Sequence, residues 1–73
     1  MTAVAPDSLE CQAALGMRVI KMEHMAGALE EELALYGAHW YADGYPTEHL
    51  RAMMGAAREW ARLARHNLAV RGR

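Results

Sequence analysis

Four histidines, His24, His39, His49 and His66, and the carboxylates Glu23, Asp43 and Glu48 are the side chains best suited to hold a metal or move a proton. A helical zinc site needs two imidazoles four residues apart, so that both face one way, and no histidine pair here has that spacing. The single thiol, Cys11, has no second sulfur to share a metal with. His39, Asp43 and His49 could exchange protons, but no nucleophile stands beside them and a 73-residue chain has little room for a substrate pocket. The expectation is therefore no metal, no cofactor and no catalytic residue: a non-enzymatic protein.

Two other groupings point to binding. Tyr36, His39, Trp40, Tyr41 and Tyr45 crowd into ten positions, which hold all three tyrosines and one of the two tryptophans. Such rings combine rigid apolar area with a polar tip, the combination enriched at interaction hot spots. Equally, they can fold back and plug one end of a small core. Arg51, Arg58, Arg62 and Arg65, at steps of seven, four and three, form a ridge on a helix, extended by Arg71 and Arg73. A ridge of this kind can track phosphates. It can also meet an acidic protein, or simply pair with Glu30, Glu31, Glu32 or Glu59. Against nucleic acid stand the formal net charge of -1 and the absence of lysine from the second half.

The elements that position these groups follow from periodicity. Leu15, Val19, Met22, Ala26, Leu29, Leu33 and Tyr36 recur at steps of four and three, a heptad seam. Met25 widens it. A first helix is expected over about 8–36, begun by Asp7 with Glu10 in capping-box spacing or by the competing Ser8, and ended by Gly37 as a left-handed cap. Gly16 borders the seam and would permit a close helix approach. Positions 37–46 break the pattern and read as an aromatic loop, with Asp43-Gly44 as a turn signal and Pro46 opening the next helix. The second helix is expected over about 48–70. Its seam is Leu50, Met54, Ala57, Ala61, Ala64 and Leu68, broadened by Met53 and Trp60. Residues 1–6 read as a loose arm and 71–73 as a frayed end.

Composition agrees with this class. The chain is 53% apolar with no Phe, rich in Ala, Met, Leu, Glu and Arg and poor in β-branched residues, which favours helix over sheet. The predicted fold is all-α: an antiparallel hairpin of two long amphipathic helices, one domain, dimerising into a four-helix bundle. Dimerisation is expected because a core this small contributes only about 3–5 kcal/mol alone. From Asp7 to Tyr36 there are two bases against six acids, a net of -4; from Thr47 onward there are six bases against two acids, a net of +4. Opposite charge on the two helices suits pairing within the hairpin or across a dimer.

One cysteine, no basic and apolar leader, and no apolar run near the roughly 18 residues of a membrane span give a soluble, cytoplasmic expectation. Functionally, the residues fit a homodimeric interaction module, a regulator or inhibitor that binds another protein through the aromatic segment. The alternatives are a nucleic-acid-binding regulator using the arginine ridge, and a structural assembly subunit.

Overall fold

The computed structural model describes residues 8–71. The chain forms two helices, α1 (Leu9–Ala42) and α2 (Thr47–Arg71), which pack against each other as a hairpin. Ser8 caps α1. Its backbone is extended and its hydroxyl oxygen accepts from the Cys11 amide at 3.1 Å, satisfying one of the donors that a helix start leaves unpaired. Asp7, the N-terminal arm, Gly72 and Arg73 lie outside the described residues.

The first helix does not stop at Gly37. It continues to Ala42, so the expected ten-residue loop is a connection of four residues, 43–46. The glycine that ends the helix is Gly44, with φ of 89°. The Gly44 amide donates to the Tyr41 carbonyl at 3.1 Å, and the Tyr45 amide to the Trp40 carbonyl at 2.9 Å. Those two bonds make a Schellman motif, which occupies carbonyls left over at the helix end. Pro46 follows and cannot extend α1, and α2 starts at once. No proline or β-branched residue lies between Gly37 and Ala42 to end the helix earlier. The capping glycine is thus Gly44 and not Gly37.

Gly37 instead sits buried inside α1, at the place where the seam continues through Leu33, Gly37 and Trp40. Tyr36, expected in the seam, is half exposed. A Cβ added at Gly37 would meet Leu33 Cδ2 at 3.6 Å and Arg51 Nη2 at 4.0 Å, both ordinary contacts. Gly37→Ala is therefore expected to stabilise the hairpin by about 1 kcal/mol through helix propensity, read from chemical denaturation. A loss of stability would mean that the helices need glycine to approach there. Gly16, by contrast, has nothing within 4 Å of an added Cβ and marks no close approach among the described residues.

The core is thin. Val19, Ala26 and Leu33 of α1 are buried with Ala57, Ala61 and Ala64 of α2. Leu15, Met22 and Leu68 pack partly buried around Val19, Ala61 and Ala64. Leu29, Leu50 and Met54 are half-buried. Alanines on α2 let the helices come close, but they bring little apolar area per residue, and no large side chain is fully enclosed. The hairpin measures 47 × 30 × 13 Å, one helix thick in its shortest direction. A single helical layer cannot enclose a core as stacked layers do. Among the described residues no helix is long and apolar enough to cross a membrane.

Candidate functional site: an apolar face and an aromatic hollow

The seam divides the slab into two unlike broad faces. On one, Glu23 accepts from Arg65 through two hydrogen bonds of 2.8 and 2.5 Å, and Glu30 accepts from Arg58. These pairs are seven residues apart on each helix and run in opposite directions, which proves the antiparallel packing and sets its register. Arg62 pairs within α2 to Glu59, at 3.1 and 2.6 Å. Three of the four ridge arginines are thus held by carboxylates of this chain. Arg58 with Glu30 and Arg62 with Glu59 are pairings of the ridge with the carboxylates its spacing suggests, whereas Arg51 faces Gly37. The longer α1 slides the two helices past the register that a loop at 37–46 implies.

Hydrogen bonds from Arg65 hold the Glu23 carboxyl below its ordinary range against the pull of desolvation, with the guanidinium charge adding to the lowering. Arg62 does the same for Glu59. The arginines shift upward in return. A carboxyl lowered in the folded state stabilises above its ordinary pKa of 4.5 and loses that contribution as pH falls through the folded value. The melting temperature is therefore expected to hold from pH 7 to about 5 and to decline below 4.5, modestly, because these pairs are solvent-exposed. Glu23→Gln should flatten part of that decline; an unchanged pH profile would show that the bridge adds nothing.

The other face is apolar. Met22 and Met25 of α1 and Met53, Ala56, Ala57 and Trp60 of α2 line a shallow groove of about 240 Å³. At 100° per residue, Arg58 and Arg65 lie roughly 150° around α2 from Trp60, so the groove and the ion pairs occupy opposite faces. Helical spacing continues the apolar face through Leu29 and Tyr36 on α1 and Leu63 on α2. Met53, Leu63 and Tyr36 are each about half exposed, and Trp60 is 38% exposed although it was expected to broaden the seam.

At the turn end this face deepens into a hollow of about 450 Å³ lined by Trp40, Tyr45, Pro46, His49 and Leu50. The Schellman motif builds it. Trp40 and Tyr45 are the two residues whose side chains that motif brings together, and the tilted ring of Tyr36 leans on Trp40 at 5.8 Å. Of the expected aromatic contact set, Trp40 and Tyr45 therefore share one site, with Tyr36 beside it. His39 and Tyr41 are on the last turn of α1 and do not line it; Tyr41 is exposed. Pro46, His49 and Leu50 join the aromatics here, a grouping that their spacing in the sequence does not by itself suggest. The Asp43-Gly44 pair, three and four residues beyond Trp40 and followed by Pro46, is the sequence signal that joins them.

The histidines are all exposed, and no group of three or more His, Cys, Asp or Glu among the described residues is placed to hold a metal ion. Comparison with protein-family models, with curated proteins and with solved structures returns no match to this chain.

Proposed function

We propose that this chain is a small, cytoplasmic, non-enzymatic interaction module. It pairs with a second copy through its apolar broad face to form a four-helix bundle, and it regulates or inhibits another protein that docks at the aromatic turn end. The observation that carries this reading is the hollow framed by Trp40 and Tyr45. It is apolar, open, and built on a hydrogen-bonded turn, so little order is lost when an apolar side chain of a partner enters. The one-layer slab supports the dimer, since its exposed methionines and Trp60 have no covering layer. The alternative of an arginine ridge along nucleic acid is weakened because Arg58, Arg62 and Arg65 already bind carboxylates. Nor does the hairpin have the geometry of a helix-turn-helix, whose helices cross at about 90–120° where these pack antiparallel.

The test is capture of the tagged protein's partners from host lysate, with and without nuclease, using wild type, Trp40→Ala and Tyr45→Ala. A protein retained in both wild-type samples and reduced by at least about tenfold in both variants is the expected result, since truncated aromatic anchors cost 2 kcal/mol or more. Retention unaffected by either variant removes the hollow from the interface. Material retained only without nuclease favours the arginine ridge.

A further inference from the structure

Two charges on α1, Arg18 and Glu32, flank the groove in line with Met25, and their arrangement selects one way for a second copy to lie on the apolar face. Arg18, Met25 and Glu32 are seven residues apart and so form one row on α1, on the flank that Met25 shares with the groove. Arg18 and Glu32 are exposed and neither makes an ion pair with another described residue. Met25 is midway between them. It is also the seventeenth of the 34 residues of α1, the middle of the helix.

Resting on the dimer proposed above, we infer that the second copy covers the apolar face in antiparallel fashion, each turn over the other's open end, with the twofold axis passing Met25. Rotation about that axis sets α1 against α1 over its full length. It places Arg18 of each copy opposite Glu32 of the other and the two Met25 side chains against each other between these pairs. The cross-helix ion pairs put Leu63 of α2 level with Met25, so the same axis brings Leu63 onto its own copy.

The other twofold stack, with both turns at one end, lays α1 over α2. The same register then sets Glu32 opposite Ala56, where no basic side chain waits, and Arg18 opposite the end of α2 near Arg71. The antiparallel stack satisfies both charges and the parallel one neither. In this register α1 overlaps α1 along its whole length and α2 overlaps α2 over 55–71, which at about 10 Å per helix width is about 750 Å² per copy, close to the about 800 Å² per partner in stable complexes; positions 47–54, with the α2 side of the hollow, stay uncovered.

The experiment is charge reversal read by sedimentation equilibrium of the full chain. Arg18→Glu and Glu32→Arg are each expected to weaken the dimer about tenfold, since each variant turns two attractive pairs repulsive. The double variant should return to within about threefold of wild type. Within one copy the two positions are roughly 21 Å apart, beyond the screening length at physiological salt, so rescue reports contact between copies. A short bismaleimide gives a second reading. It should link copies of a Met25→Cys, Cys11→Ser variant, but not wild type, whose Cys11 thiols would stand about 42 Å apart in the antiparallel stack. A dimer in which the double variant fails to recover, or in which Cys11 is linked to its own copy, overturns the arrangement while leaving dimerisation intact. A wild-type chain that stays monomeric at all concentrations overturns the arrangement and the dimer together.

Discussion

Ala61→Asp unfolds the hairpin at any protein concentration. Ala61 is 2% exposed and packs with Val19 and Ala64 at the tightest part of the seam. An aspartate there either buries an unpaired carboxylate, at a cost of several kcal/mol, or forces the helices apart. No neighbouring base can rescue it, because Arg58 and Arg65 are aimed at Glu30 and Glu23 on the flank of the seam. A core this small contributes only about 3–5 kcal/mol, so the loss is comparable to the whole. Far-ultraviolet circular dichroism should fall to a coil-like spectrum at micromolar and millimolar protein alike. A folded Ala61→Asp variant would mean that the helices do not meet at this seam.

Trp60→Asp is expected to act at a different level. Trp60 stands on the apolar face, with its neighbours Met22, Met25 and Met53 forming the groove. The seam beneath is untouched, so the hairpin keeps its helices, but the face that a second copy must cover now carries a charge near its middle. Desolvating that charge without a partner should weaken self-association by at least about a hundredfold, the scale of losing a central aromatic anchor. The wild-type melting temperature should rise with protein concentration, because association stabilises the folded state by mass action. In the variant that dependence should vanish and the melting temperature should settle at the low value of the lone hairpin. A variant that still dimerises with wild-type affinity would move the interface to another face. Together the two substitutions separate the seam that folds the chain from the face proposed to receive a second one.

Much of this architecture was legible in the residues. The four-three steps of Leu15, Val19, Met22, Ala26, Leu29 and Leu33, and of Leu50 to Leu68, are local properties of the chain, and a helix turns them directly into a stripe. The helical class, the hairpin and the apolar excess followed. The end of α1 did not. Gly37 could be a helix terminus or a small residue at a packed position, and those alternatives differ only in what lies opposite it. Arg51 and Leu33 lie there, and Gly44 takes the cap.

The remaining differences descend from that one. Periodicity and charge are carried by each segment alone, so the antiparallel pairing of two amphipathic helices of opposite charge was readable from the residues. Tertiary structure alone decided the register, and through it the partners: Glu30 with Arg58, Glu23 with Arg65, Trp40 with Tyr45 and Leu50. A cross-helix partner depends on where the chain reverses, so moving the turn by a few residues reassigns every contact across the seam while leaving each helix's own pattern unchanged. The same register levels Leu63 of α2 with Met25, whereas the equal spacing of Arg18 and Glu32 about Met25 belongs to α1 and its sequence.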